Sequence, residues 1–267
     1  MNEKPTASPA VSAPDETTYD FIIEIDKLKK SFGSQLVLAD VSLKLLKGEN
    51  LVILGKSGSG KSVLIKCVVG LMGFDGGSIK VFNEEVKGME HSKLNAIREK
   101  IGFLFQSGAL YDSMTVKQNL EFPLKRIRRN LNKEQVSEKI AEVLENVGLS
   151  DALNKMPSQL SGGMRKRISL ARTLVADPLV MLYDEPTTGL DPVTSDEISS
   201  LILDVQKKYK TSSIVITHDI ECALKTANRM LMLLDGKVYK EGHPRDFITS
   251  NDGEIQAFFR TKQAAGK

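Results

Sequence analysis

Cysteine is nearly missing: Cys67 and Cys222 are the only two in 267 residues, too few and too far apart for a disulfide framework or a metal site. They read as reduced structural thiols of a cytosolic chain. No apolar run approaches the roughly 20 residues that cross a bilayer, so no segment reads as a membrane helix. The start, MNEKPTASPAVSAPDETTYD, lacks the apolar core of a signal peptide, and its Pro, Ser, Thr and Ala content marks residues 1–20 as a disordered tail. A net charge of +3 is too weak to argue for a nucleic acid partner. Internal repeats are absent as well. What remains, 41% hydrophobic and 27% charged residues, is the composition of an ordinary globular protein with room for a substantial core.

The apolar residues that are present fall into patterns. FIIEIDKLKKSF (21–32) and QLVLADVSLKLL (35–46) alternate in part and read as antiparallel strands. Four short runs are apolar throughout: LVIL (51–54), IGFLF (101–105), LVMLY (179–183) and SIVIT (213–217). Such runs suit central strands covered on both faces by helices, which predicts an α/β fold with a largely parallel sheet. Residues 132–147 give the clearest helix, with Val136, Ile140, Val143, Leu144 and Val147 at helical spacing. Asn132 with Gln135 resembles a capping box, and Gly148 can end the helix. The surrounding segment, about 107–176, contains no convincing strand and reads as an inserted helical subdomain. MLMLLDGKVYKEG (230–242) reads as a hairpin turning at Asp235-Gly236.

GKSGSGKS (55–62) follows LVIL directly and fits the P-loop pattern G-x-x-x-x-G-K-[S/T]. Gly55, Gly58 and Gly60, with Ser57 and Ser59, let backbone N–H groups converge on a phosphate, and the N-terminus of the following helix adds partial positive charge. Lys61 would reach the β- and γ-phosphates, and the Ser62 hydroxyl would hold Mg²⁺. A second strand ends in paired acids. Asp184 suits the Mg²⁺ shell, while Glu185, beyond the strand end, can polarise an attacking water. A third strand ends in Thr217-His218-Asp219, where His218 could donate to a γ-phosphate or be merely structural. LSGGMRKR (160–167) opens another helix, so Ser161, Gly162 and Gly163 make a second anion cradle. One nucleotide does not need two cradles from one chain, whereas two chains arranged head to tail would use both.

At this point the chain resembles the ATPase subunit of an ABC transporter over about residues 21–245. The resemblance implies ATP and Mg²⁺ as cofactors and a P-loop core with an antiparallel β-subdomain and an inserted helical subdomain. It assigns the Walker A motif to 55–62, the signature to 160–164, the Walker B strand to 179–184 and the catalytic glutamate to Glu185. It further makes His218 the switch histidine, Gln106 the Q-loop glutamine near Mg²⁺ and the attacking water, Asp191 part of the D-loop, and Phe32 the ring stacked on adenine. The ATPase domain would span 21–250, with a C-terminal extension over 251–267. Val63 stands where the family usually has Thr, and Met164 where it has Gln; Lys56 has no physical reading. FLFQSGALYDSMTVKQN (103–119) together with LSGGMRKR resembles the branch that serves lipid-asymmetry transporters of the mammalian-cell-entry (MCE) type, where Val63 is at home. That likeness implies a permease of the MlaE type, a second copy of the chain, and indirectly an MCE-domain lipid-binding protein as partners. It places the chain on the cytoplasmic face of the inner membrane. A soluble ABC ATPase acting on DNA or ribosomes and a small-molecule kinase are the rivals. The first usually carries tandem ATPase domains or a long coiled coil, and the second lacks the signature. The basic run LKRIRRN (124–130) reads as a solvated face or as a contact for lipid headgroups or the permease.

Overall fold

The computed structural model describes residues 21–265, with side chains as far as Phe259. The tail expected over 1–20 lies outside the described residues. Strands β1 (Phe21–Phe32) and β2 (Gln35–Leu46) form the expected antiparallel pair. Strands β4 (Gly76–Val81) and β5 (Glu84–Glu85) extend it to a sheet of order β2-β1-β4-β5. Neither of these two is obvious from sequence, because GGSIKV buries only Ile79 and Val81 and opens on two glycines.

The second sheet runs β10-β9-β3-β8-β7-β6. Its strands are β3 (Asn50–Leu54), β6 (Ile101–Leu104), β7 (Val180–Asp184), β8 (Ser212–Thr217), β9 (Arg229–Leu234) and β10 (Lys237–Gly242). Every pairing from β9 through β6 is parallel, and β10 joins antiparallel through the hairpin at Asp235 (φ 48°) and Gly236 (φ 72°). Strands β3, β7 and β8 are buried at every position, as their unbroken apolar character requires. The expectation of a central strand over 101–105 is corrected. β6 is an edge strand, it stops at Leu104, and its burial alternates. Leu179, expected to open β7, lies outside it and is exposed.

The helices are α1 (Lys61–Val68), α2 (His91–Glu99), α3 (Val116–Ile127), α4 (Lys133–Asn146), α5 (Gly162–Leu174), α6 (Pro192–Tyr209), α7 (Ile220–Thr226), α8 (Pro244–Ile248) and α9 (Gly253–Ala265). The capping box expected for α4 is present, with Gln135 N–H on Asn132 Oδ1 at 2.8 Å and Asn132 N–H on Gln135 Oε1 at 3.0 Å. Alternation along β3 divides the core. Leu51 and Ile53 pack with Ile23, Leu45, Ile65 and Ile79, joining the parallel sheet to α1 and the antiparallel sheet. Val52 and Leu54 pack in the cluster of Leu120, Val143, Ile168 and Ile198, joining the other face to α3–α6. Residues 107–176 contain no strand, as expected, and α5 ties that segment to the sheet through Ile168, Leu170 and Leu174. Helix α9 joins the same cluster through Ile255 and Phe258. Each such side chain contributes about 1.5–3 kcal/mol on full burial.

Candidate active site

The carboxyl ends of parallel strands β3, β7 and β8 lie side by side, where ligands of open α/β sheets bind. The loop after β3 turns sharply into α1. Gly60 (φ 97°) caps that helix in the left-handed region, and a Cβ there would stand 2.8 Å from Leu38 Cδ2 and 3.0 Å from the Val37 carbonyl oxygen. A Cβ on Gly55 would meet the Leu233 carbonyl oxygen at 2.6 Å. Both positions therefore require glycine for conformation or space. Beneath the loop, Lys61 Nζ donates to the Gly55 carbonyl at 2.7 Å and to the Lys56 carbonyl at 3.0 Å. Ser59 Oγ is buried with no hydrogen-bond partner in the protein, so the loop holds a donor still to be satisfied.

Ser62 Oγ donates to Asp184 Oδ1 at 3.0 Å, joining the first turn of α1 to the end of β7. Burial pushes the Asp184 carboxyl above its usual range, and the Ser62 hydrogen bond offsets part of that push. Glu185 follows with φ 50°, a left-handed backbone that turns it out of the strand. Its Oε2 accepts from His218 Nδ1 at 2.7 Å and from Thr188 Oγ1 at 3.0 Å, and its Oε1 lies 3.6 Å from Lys61 Nζ. With Nδ1–H given to the carboxylate, Nε2 is the histidine nitrogen left for another partner. Thr187 Oγ1 donates to Asp219 Oδ2 at 2.8 Å, tying the β7 loop to the start of α7.

One cavity of about 550 Å³ opens over this network. Lys56, Ser57, Gly58, Gly60, Lys61, Ser62, Val63, Gln106, Glu185 and His218 line it, so most of the residues expected at the phosphates converge there. Gly55 and Asp184 join through their bonds to Lys61 and Ser62. Phe32 does not line the cavity; it ends β1, 47% exposed, with Lys30 Nζ over its ring at 5.2 Å. Ser161, Gly162, Gly163 and Asp191 also lie outside the cavity lining. Ser161 caps its own helix by accepting from Met164 N–H at 3.2 Å, and Asp191 caps α6 through Thr194 N–H at 3.0 Å. The Thr194 hydroxyl, donating at 2.6 Å, and then the Thr194 N–H hold the Asp191 carboxyl below its usual range. A Cβ on Gly163 would meet Thr194 Cγ2 at 2.5 Å, so the two exposed helix starts pack together.

A hydroxyl and a carboxylate side by side are hard oxygen donors that fit Mg²⁺, which takes one or two protein ligands and completes its shell with phosphate and water. No cluster of three or more His, Cys, Asp or Glu that could hold a metal alone occurs among the described residues. Three further residues belong to the site. Val37 and Phe258 line the cavity. Lys166, only 7% exposed, donates to the Gln106 carbonyl at 2.5 Å and lies 3.5 Å from the Glu185 carbonyl. Burial draws its ammonium below the usual lysine range, while Asp184 and Glu185 pull the other way. The signal for Lys166 was its spacing with Leu170 and Leu174, all on the buried stripe of α5.

A sequence profile described as "ABC transporter" matches residues 38–188. The methionine import ATP-binding protein of Clostridium tetani is 35% identical over 242 residues, covering 91% of this chain and 76% of that protein. The same-named protein of Brucella abortus is 39% identical over 240 residues; there the chain spans 62% of the relative's length, from 90% of its own. An Arabidopsis thaliana chloroplast protein named trigalactosyldiacylglycerol 3 is 37% identical over 260 residues, covering 91% of this chain and 74% of the relative. Among solved structures, a dimeric ATP-binding cassette in a post-hydrolysis state with ADP and Pi superposes with a TM-score of 0.76 at 31% identity. That match covers 84% of this chain and 99% of the cassette. A chain of the cbiONQ ABC transporter complex of Clostridium perfringens gives 0.80 at 26% identity, covering 92% and 98%.

Proposed function

The chain belongs to the ABC transporter family, and on that premise we propose that it is the ATPase subunit of a transporter. It binds ATP in the cavity at the ends of β3, β7 and β8, and two copies close head to tail over two nucleotides. The observation that carries this reading is the meeting of Lys61, the Ser62–Asp184 pair, Glu185 and His218 around one cavity. Lys61 and the N-terminus of α1 take the phosphates. Ser62, Gln106 and Asp184 would hold Mg²⁺, which would supply charge neutralisation at the phosphates. Glu185 withdraws the proton of the attacking water, and His218 steadies both that carboxylate and the transferred group. Ser161 and Gly163 of the second copy complete the anion cradle.

The chain acts on a membrane permease from the cytoplasmic face. No helix among the described residues is long and apolar enough to cross a membrane, so the transmembrane path would be supplied by the partner. Tyr111 and Phe122, 42% and 43% exposed with ring centroids 5.4 Å apart, offer an aromatic surface just beyond Gln106 for a short permease helix.

The cargo is a phospholipid or related lipid, delivered with a permease of the MlaE type and an MCE-domain protein. FLFQSGALYDSMTVKQN and LSGGMRKR support this, as does the galactolipid in the Arabidopsis relative's name. Relatives at 35–39% identity are also named for methionine import and, in Mycobacterium leprae, for ribonucleotide transport. Cargo named so differently at such similar identity would be set by the permease. Purifying the assembled complex and identifying its proteins and lipids tests the reading. Co-purifying phospholipid with an MCE-domain subunit supports it, and a methionine-binding subunit in their place overturns the lipid cargo. Tyr111→Arg should stay folded and bind ATP yet leave the permease; a variant that still assembles and transports removes Tyr111 from the interface.

A further inference from the structure

Helix α5 has an exposed start and an inward-facing second turn. Ser161 and Gly162 are exposed, but Lys166 is buried to 7% exposure and contacts its own chain. Its Nζ donates to the Gln106 carbonyl at 2.5 Å and reaches the Glu185 carbonyl at 3.5 Å. These acceptors belong to Gln106 and Glu185, which both line the cavity. Glu185 sits at φ 50°, a conformation that a non-glycine residue holds only when its surroundings enforce it. Thr188 N–H is the other donor to that carbonyl, at 3.3 Å, and Ile216 accepts from Glu185 N–H at 2.9 Å. In this conformation Oε2 meets His218 Nδ1 and Oε1 faces Lys61.

Resting on the reading of Glu185 as the base, we propose that Lys166 is a positioning residue: its ammonium pins the backbones of Gln106 and Glu185 to α5. The catalytic carboxylate is thereby held by the same helix whose exposed start the second copy's nucleotide meets. Both acceptors are neutral carbonyls, so the site needs a donor of the right reach rather than a charge. Misplacing a catalytic group by about 1 Å costs about 100-fold in rate.

The test compares Lys166→Met, which keeps most of the stem and loses the donor, with Lys166→Gln, which matches methionine in length and keeps a donor, in the full chain. Lys166→Met should lower kcat about 10–100-fold while the Kd for ATP stays within about twofold, and Lys166→Gln should recover most of the loss. Unchanged kcat in Lys166→Met overturns the proposal, as does a parallel fall of kcat, affinity and melting temperature without rescue by Gln. If Lys166→Met does not fold, Lys166→Leu replaces it, and failure of both marks a purely structural lysine and also overturns the proposal. Glu185→Gln serves as the control. Wild-type turnover there defeats the reading of the site itself, whereas lost turnover there beside unchanged Lys166→Met defeats only the role of Lys166.

Discussion

Two loops of this chain place glycine and serine ahead of a helix, and they are finished to different degrees. Ahead of α1, the loop lies over two sets of paired side chains, Ser62 with Asp184 and Glu185 with His218 and Lys61. Ahead of α5, Ser161 and Gly162 face solvent; Ser161 accepts from Met164 N–H and Arg165 N–H of its own helix, and neither residue bonds to the network at the first loop. A helix start bristling with N–H donors but bringing no acid or base of its own can bind an anion and cannot activate water. On the proposed reading the difference assigns the chemistry to the first loop and has the second contribute when another copy supplies its nucleotide.

The strongest way to break the comparison is to remove the base from the built half. Glu185→Gln should keep ATP binding, lower turnover about 10²–10⁴-fold and trap the ATP-bound dimer. Steady-state ATPase assays with size-exclusion chromatography check this, and unchanged turnover would move the chemistry elsewhere.

Between the two loops, the segment of Tyr111 is fastened from inside by Asn119, which is fully buried. Its amide donates to the carbonyls of Tyr111, Met114 and Thr115 and accepts from Tyr111 N–H at 2.8 Å. Asn119→Ala should cost about 2–3 kcal/mol, because it strands several backbone groups. Urea denaturation reads this directly, and a loss below half that size would show the segment to be held by other contacts.

A smaller effect sharpens the contrast from the stability side. Burial raises the folded pKa of Asp184, so its ionised form is disfavoured in the fold and stability falls as pH rises through that group's titration. Removing the charge should therefore stabilise the nucleotide-free chain at neutral pH. Asp184→Asn should raise its Tm by about 2–4 °C, the shift that about 1 kcal/mol gives in a domain of this size. The gain should vanish at acidic pH, where the wild-type carboxyl is already neutral, and the variant should lose stabilisation by Mg²⁺ with ATP. A lower Tm at neutral pH would show the carboxylate to be well paired.

How much of this was legible in the sequence follows from how local each signal is. The P-loop, the β1–β2 pair, α4 with its capping box and the hairpin at Asp235 are specified by contiguous residues, and the structure has them where expected. Strand rank in the sheet is set by neighbours, so nothing in IGFLF revealed that β6 lies at the edge. The clustering of Lys61, Asp184, Glu185 and His218 was expected from motif order, but the Glu185–His218 bond and the part of Lys166 depend on loop geometry no spacing encodes. Phe258 reaches the cavity from a helix far along the chain from the first loop, where helical spacing shows an apolar face and not its destination.

The claim that the two loops complete each other across copies is tested most directly with mixed dimers. Lys61→Ala in one copy and Ser161→Arg in the other should leave one intact site, whereas both changes in the same copy should damage both sites. Counting tightly bound ATP per dimer should give one in the first arrangement and none in the second; equal occupancy in the two would show that Ser161 takes no part, and none in the first with one in the second would place the whole site within a single chain, either result contradicting a shared site.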